Sequence, residues 1–468
     1  MTNTSQEKSN TPFIILISMI AAIGGFLFGF DSGVINGTVE AIKVAFHSSA
    51  AASGFNVASM LLGCAGGAFI AGNLADRFGR KKVMIATALM FTISAWGSGI
   101  STSSGEFVLF RLFGGFAIGA ASVLCPAYIS EIAPAAIRGR LSSLQQLAIV
   151  LGLFAAFLSN YLIALGAHGA SGHFWLGCEG WQWMFWVGMV PATIFLFSLF
   201  LIPESPRYLV AAGKSAEAAT ILTRLIHPDH VSEKVREIQE TLKADHKPRM
   251  ADLYDTAKKR IHPILWVGIG LAAFQQLIGI NVVFYYGEVL WQAAGFTQAD
   301  ALLQNVISGA VNIISTLIAI SLIDKFGRKP LLLVGSVGMA ITLGALAYLF
   351  GTSPIVDGNL KLSGSNGLYA LLAANAYVFF FGVSWGPVMW VMLGEMFSNQ
   401  FRGAALSISG FVQWIANFAI TMTFPIMLVG IGLGGSYTVY AIFAVVSAVF
   451  VFKAVRETKG LELEQMGN

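Results

Sequence analysis

Apolar residues run along this chain in blocks of about twenty, the length a helix needs to cross the hydrocarbon core of a bilayer. Twelve such blocks are centred near Ile23, Cys64, Phe91, Gly115, Leu153, Ile194, Gln275, Ile314, Gly338, Phe380, Ile415 and Val445. The pattern predicts an all-α membrane protein with twelve transmembrane helices. An even number of crossings puts both termini on one face. Between the sixth and seventh blocks the pattern changes to a charged stretch, in which Ala218, Ile221, Leu222 and Leu225 recur at helical spacing. Short amphipathic helices with one face against the membrane domain are expected there. The predicted organisation is a six-helix bundle over 1–204, a helical linker over 205–260, and a second six-helix bundle with a short tail over 261–468.

Composition agrees with this reading: 56% hydrophobic residues, 11% charged residues and a mean hydropathy of +0.72 exclude a soluble protein. Charge then sets the orientation. Lys43 and Lys361 fall in loops on one side and Arg111 within a block, while the other Lys and Arg gather on the opposite side. By the positive-inside rule that side is cytoplasmic, and both termini with it. The net charge of +4 therefore reports topology and gives no reason to expect nucleic acid. The first apolar run exceeds the ~7–15 residues of a signal-peptide core, so it is expected to remain as the first span. Short outer loops suit a bacterial inner membrane or a plasma membrane. Cys64, Cys125 and Cys178 lie in or near separate apolar segments without C-x-x-C spacing, and read as small packing residues. His227, His230 and His246 read as solvated; no metal or cofactor is expected.

The two halves repeat each other. Asp76-Arg77-Phe78-Gly79-Arg80-Lys81 returns as Asp324-Lys325-Phe326-Gly327-Arg328-Lys329, 248 residues later (324 − 76). Glu131 and Arg138 return as Glu395 and Arg402, with an offset of 264 (395 − 131) between the acids. Two unrelated patterns recurring at similar offsets predict duplicated, pseudo-symmetric bundles with a substrate site between them near mid-membrane. Charge-assisted bonds within the first turn (Asp76, Arg77, Arg80) and its copy (Asp324, Arg328), and the pairs Glu131 with Arg138 and Glu395 with Arg402, are expected to latch the outward-open state and to break on reopening. Gly25 with Gly29, Gly63 with Gly67, and Gly115 with Gly119 leave smooth stripes for close helix packing.

Two sets of residues carry the candidate chemistry. Asp31 is a lone acid in the first apolar run and Arg111 a lone base in the fourth, each costly in lipid unless used. The pair fits a proton-coupling site; the alternative is an acid at the helix mouth in headgroup water. The second set is amide-rich and aromatic: Gln145-Gln146 in the fifth span, Gln275, Gln276, Asn281, Tyr285 and Tyr286 in the seventh, Gln413, Trp414 and Asn417 in the eleventh. An amide offers a donor and an acceptor in one plane, which suits vicinal sugar hydroxyls. Gln413 and Asn417, four apart, share a face. Asn281 would point away from Gln276 on a straight helix, so Gly279 is expected to mark a local unwinding. Trp390 is a candidate plate for the apolar face of a sugar ring, with Pro387 interrupting its helix as a hinge. Gly213-Lys214-Ser215 lacks the earlier glycine of a phosphate loop, and Gly430, Gly432 and Gly435 read as a flexible outer loop.

These residues resemble the sugar porters of the major facilitator superfamily over nearly the whole chain. The likeness rests on Gly24-Gly25-Phe26-Leu27-Phe28-Gly29-Phe30-Asp31, Asp76-Arg77-Phe78-Gly79-Arg80-Lys81, Pro203-Glu204-Ser205-Pro206-Arg207-Tyr208-Leu209 and Gln275-Gln276-Leu277-Ile278-Gly279-Ile280-Asn281. Gly386-Pro387-Val388-Met389-Trp390 and Glu457-Thr458-Lys459-Gly460 continue it. It implies the major facilitator fold, and sugar contact by Gln146, Gln275, Gln276, Asn281, Trp390, Gln413 and Trp414, with Tyr285, Tyr286 and Asn312 close by. It also implies a proton-linked role for Asp31 beside Arg111. Leu153 stands where a xylose-carrying member has Gln, which tilts the expected substrate towards glucose or a related hexose. Ile320 replaces the glycine that leads the first copy of the repeated turn, so a weaker second latch is expected. The expected function is monosaccharide/proton symport by a functional monomer in the lipid bilayer. Facilitative uniport through the same site stays open, since Asp31 permits coupling without requiring it. A sugar sensor lacks the long tail it would need, and no nucleophile and base converge as in an enzyme.

Overall fold

The computed structural model describes residues 10–244, 253–255, 259–356, 359–362, 365–398 and 401–459. The first half is built from α1 (Thr11–Val34), a 3-10 turn (Ile35–Gly37), α2 (Val39–Ala45), α3 (Ala50–Phe78), α4 (Arg80–Ile100), α5 (Ser104–Ile132), α6 (Ala135–Ala167), α7 (Gly180–Val187) and α8 (Met189–Leu201). Three short helices follow: α9 (Pro206–Ala211), α10 (Ser215–Leu225) and α11 (Val231–Ala244). The second half comprises α12 (Pro263–Leu277), α13 (Ile280–Ala293), α14 (Gln298–Phe326), α15 (Arg328–Thr352), α16 (Asn366–Gly382), α17 (Trp385–Met396) and α18 (Arg402–Ala454). Two antiparallel pairs of two-residue strands, Tyr254–Asp255 with Arg260–Ile261 and Ile355–Val356 with Asn359–Leu360, lie at loops.

Among the described residues, eleven helical segments are long and apolar enough to cross a membrane. The last of these runs 53 residues, about 80 Å at 1.5 Å per residue, too long for one crossing. It is two spans joined at Gly432, whose φ of 70° and ψ of −179° break the helical path. Twelve crossings result, arranged as two six-helix bundles. The glycines read as an outer loop are thus part of a direct helix-to-helix junction.

Small residues set how closely the helices pack. A side chain on Gly29 would strike the backbone carbonyl of Ile149, and one on Gly25 the amide of Gln145, so α1 lies directly against α6. Gly63 and Gly67 face the backbone of α5 at Leu112 and Phe116, while Gly115 and Gly119 face α3 at Met60 and Cys64. The stripes are reciprocal. With no hydrophobic drive between helices in lipid, van der Waals contact at this range supplies the association.

Breaks within spans place polar groups at depth. Gly279 adopts φ +85° between α12 and α13, as its position in the sequence predicts. A side chain there would run into the Tyr440 ring, and Tyr377 Oη donates to the Ile278 carbonyl released by the break at 2.8 Å. The tenth span breaks at Val383 and Ser384, so Pro387 sits in the first turn of α17 rather than at the interruption itself. Proline lacks an N–H and is tolerated in a first turn, where that donor has no helical partner.

The linker helices form a small core of Leu209, Val210 and Ala218, flanked by Tyr208, Ile221, Val235, Ile238 and Leu242. They dock on α1, where Asn10 N–H donates to Leu225 O at 3.0 Å and the Arg224 guanidinium lies 4.7 Å over the Phe13 ring. His246 lies outside the described residues.

Candidate transport site

Asp31 and Arg111 meet across α1 and α5. Arg111 Nη1 donates to Asp31 Oδ1 at 2.7 Å, with the residues 1% and 5% exposed. The guanidinium lies 5.6 Å from the Phe185 ring, and Nη2 approaches Met60 Sδ at 2.9 Å. Asp31 Oδ2 and Arg111 Nε have no hydrogen-bond partner. The charges offset each other, yet one carboxylate oxygen is left open in an apolar surround.

The amides of the second half form one chain of hydrogen bonds. Gln413 Nε2 and Gln276 Nε2 both donate to Gln275 Oε1, at 2.6 and 3.1 Å. Asn281 Nδ2 donates to Gln276 Oε1, a bond made possible by the break at Gly279. Gln275 Nε2 donates in turn to the Trp385 carbonyl at 2.8 Å, and the Trp385 indole donates to Ser336 Oγ at 2.9 Å. One turn along α18, Asn417 Nδ2 approaches Tyr285 Oη at 3.4 Å, and Thr421 Oγ1 donates to Asn417 Oδ1 at 3.2 Å. Tyr286 Oη donates to the Thr421 carbonyl at 3.0 Å. Gln413 Oε1 remains buried without a partner, as does Gln145 Oε1 in the first half.

Other candidates stand at varying distance from that chain. Asn312 is buried on α14 beside Ser315, facing Gly382 of α16. Trp414 is buried against Phe28 of α1, with ring centroids 5.8 Å apart, and so bridges the halves. Gln146 is half-buried on α6. Trp390 is 43% exposed, whereas Trp385 on the same helix is fully enclosed.

The repeated turns add pairings that were not expected from the sequence. Gly79 and Gly327 hold φ near +94° and +91°, turning the chain sharply between α3 and α4 and between α14 and α15. Arg80 then reaches Glu131 at 3.0 Å and Asp76 at 3.1 Å; Arg328 reaches Glu395 at 2.8 Å and Asp324 at 3.0 Å. Each acid at the end of the fourth or tenth span is therefore held by the arginine of the turn in its own half. Arg402 donates to the Phe397 carbonyl at 3.0 and 3.1 Å, and the side chain of Arg138 lies outside the described residues. Arg77 lies over the ring of the adjacent Phe78.

Glu204 and Glu457 complete these turns. Glu204 accepts from the backbone N–H groups of Arg80 and Lys81, and Glu457 from those of Arg328 and Lys329, capping the N-termini of α4 and α15. Thr458 adds a hydroxyl bond to Glu395 at 2.7 Å. Their cap role was missed from sequence, although a signal exists: the two acids lie 253 residues apart (457 − 204), close to the offset of the turns they cap.

The halves touch at the end opposite these turns. Asn36 donates to the Phe284 carbonyl at 2.9 Å and accepts from Asn305 Nδ2 at 2.7 Å and from Glu288 N–H at 3.1 Å. Gly54 lies beneath the Met422 carbonyl, and Gly309 beneath Phe154 and Phe157. None of Asn36, Asn305 or Glu288 stood out in sequence, because each acquires meaning only from its partner in the other half.

A family model described as "Sugar (and other) transporter" matches residues 17–468. The chain belongs to the sugar transporter family. It is 53% identical to a glucose transport protein of Synechocystis sp. over 463 residues, covering 99% of this chain and 98% of the relative. A D-xylose-proton symporter of Escherichia coli is 38% identical, over 98% of this chain and 96% of that one. Bacillus subtilis has an arabinose-proton symporter that is 37% identical, over 100% and 99%. Among solved structures, the inward-open E. coli xylose transporter superposes with a TM-score of 0.83 at 37% identity, covering 97% and 99% of the two chains. The same symporter bound to 6-bromo-6-deoxy-D-glucose gives 0.78 at 36% identity, over 98% and 100%.

Proposed function

We propose that this protein imports glucose or a related hexose by alternating access, driven by symport of a proton through Asp31. The observation that carries the sugar reading is the amide chain Asn281, Gln276, Gln275 and Gln413, ending in the buried, unpartnered Gln413 Oε1. A transmembrane hydrogen bond contributes only about 0.6 kcal/mol on average, so stability alone is a weak reason for so many buried amides. A polyhydroxylated ligand fits them. Tyr285, Tyr286, Asn312, Asn417, Trp414, Gln146 and the exposed Trp390 are assigned to the same cavity wall. The 53% identical relative named as a glucose transport protein, together with Leu153, favours a hexose.

Proton coupling is assigned to Asp31 and Arg111. Protonation of Asp31 at its open oxygen frees Arg111 from the ion pair, which lets occupancy of one site alter packing between α1 and α5. Relatives named as xylose- and arabinose-proton symporters support this. A membrane potential supplies about 2.3 kcal/mol per charge per 100 mV. The orientation is assigned from the basic turns: they face the cytoplasm with both termini, in a bacterial inner membrane or a plasma membrane. The far-end contacts around Asn36 are then external, and the structure corresponds to an inward-facing state. Arg80 with Glu131 and Arg328 with Glu395 stiffen each bundle as a rocking body, with Asp76, Arg77, Arg138, Asp324 and Arg402 at the same cytoplasmic junctions. The protein acts as a monomer and as a carrier rather than an enzyme; the boundaries 1–204, 205–260 and 261–468 divide it into bundle, linker and bundle.

Facilitative uniport is the second reading. It is favoured by the salt bridge itself, since an ion-paired Asp31 can persist as a packing element. Purified protein in liposomes, given a panel of labelled sugars with and without an imposed pH gradient, separates the two. Uphill uptake driven by the gradient and lost in Asp31→Asn establishes symport. Counterflow without any gradient-driven accumulation establishes uniport, and no uptake of any sugar refutes both.

A further inference from the structure

Glu288 is a buried acid that the transport site leaves unused. It lies on α13 with no exposed surface. Oε1 accepts from Gln292 Nε2 at 3.0 Å and from Gln298 Nε2, whereas Oε2 has no hydrogen-bond partner. Among the described residues no basic side chain forms an ion pair with it. Its backbone N–H donates to Asn36, the residue on which the contacts between the halves converge. The acid thus sits where the two halves meet at the far end, its carboxyl bonded within its own half and its backbone to the other.

Its charged and titratable neighbours offer no counter-ion. On α2, Lys43 is paired with Glu40 at 3.1 Å, and Glu40 is the acid whose charge acts on Glu288. On α1, Asp31 is engaged by Arg111. On α14, Asp300 bonds to Thr297. The remaining titratable groups packed at this end are the hydroxyls of Tyr437 and Tyr440 on α18, Tyr285 and Tyr286 on α13 itself, His168 beside the Gly169 that adjoins Gln298, and Lys361 beside the Leu360 that adjoins Gly295; neither His168 nor Lys361 forms an ion pair with Glu288. An enclosed carboxylate without a cation is far costlier than an enclosed carboxylic acid.

We propose that Glu288 is a second protonation site that governs the far-end gate. Its carboxyl takes a proton from water on that side as the halves close over it, and returns the proton to the same side when they part. No proton crosses the membrane at this site, so net coupling is unchanged; what changes with external pH is the balance between closed and open gates. The proposal rests on the alternating-access reading above, but not on the sugar or on coupling through Asp31.

The test places spin labels on Val44→Cys and Ile355→Cys, exposed positions at the far end of either half, in full-length protein carrying Cys178→Ser and reconstituted in lipid. Inter-label distances are measured from pH 5 to 9. The expected result is a growing long-distance population as pH rises, a short distance at every pH in Glu288→Gln, and a restored transition with a shifted midpoint in Glu288→Asp. Asp31→Asn should retain the transition. An unshifted transition in Glu288→Gln, or its loss in Asp31→Asn alone, overturns the proposal. So does a wild type whose distances ignore pH. Sugar uptake is measured on the same samples: a wild type that moves with pH through Glu288 but carries no sugar refutes the function proposed above and supports the gate.

Discussion

Single side chains divide between those whose role follows from cost and those whose role follows from a partner. Asp31 belongs to the first kind, since an acid in an apolar run demands use wherever the chain folds. Asp31→Asn should abolish accumulation against a gradient while leaving counterflow, read by paired uptake assays. Gln275 belongs to the second, because its Oε1 joins two other amides and its Nε2 the Trp385 carbonyl at the start of α17. Gln413→Ala removes one donor to that oxygen and one candidate sugar contact. A cost of about 1–3 kcal/mol corresponds to a KM raised roughly ten- to a hundredfold. Glu457 gives a pH prediction. Partial burial pushes its carboxyl up, but the backbone N–H groups of Arg328, Lys459, Lys329 and Thr458 outweigh that and hold it below the ordinary 4.5. A carboxyl lowered by folding stabilises the fold above its unfolded pKa and ceases to do so as pH falls through the folded value. Thermal unfolding should therefore show wild type losing more stability than Glu457→Gln as pH drops from above 5 to below 4.5, and the two should run parallel above that window.

Helices and turns carry a different part of the design. Gly29 has no room for a side chain against Ile149, so Gly29→Val should separate α1 from α6 and lower the unfolding temperature of detergent-solubilised protein by several degrees. Gly79 is constrained twice over. Its φ of +94° disfavours an L side chain, and a Cβ there would meet the Glu204 carboxylate that caps α4. Most of this was legible in the chain: twelve spans from their length, the close-packed stripes from paired glycines, the break at Gly279 from the geometry required of Asn281. Pro387 was read as the hinge, yet the break falls at Ser384, because a proline starts a helix as readily as it interrupts one. The junction at Gly432 was read as a loop because glycine content reports freedom of φ and not whether helix resumes at once.

At the scale of the whole molecule, two bundles meet at one end through Asn36, which has bonds to Phe284, Glu288 and Asn305. Asn36→Ala removes all three, leaving buried partners unsatisfied at about 1–3 kcal/mol for each group. It should shift the population towards the state open at that end, measured as faster thiol labelling of an introduced Phe55→Cys, a position packed on Phe418 of the other half, than in the same variant with Asn36 intact. The fold class, the duplication and the presence of acids, amides and arginines in particular spans were determined by sequence alone, because lipid forces every span to declare itself as a continuous apolar run and makes each polar exception costly. Which residues those exceptions meet was decided by tertiary structure. Glu131 pairs with Arg80, Glu204 caps α4 and the Glu288 N–H reaches Asn36 because separate helices converge, and partners 51, 124 and 252 residues away leave no local pattern in the chain.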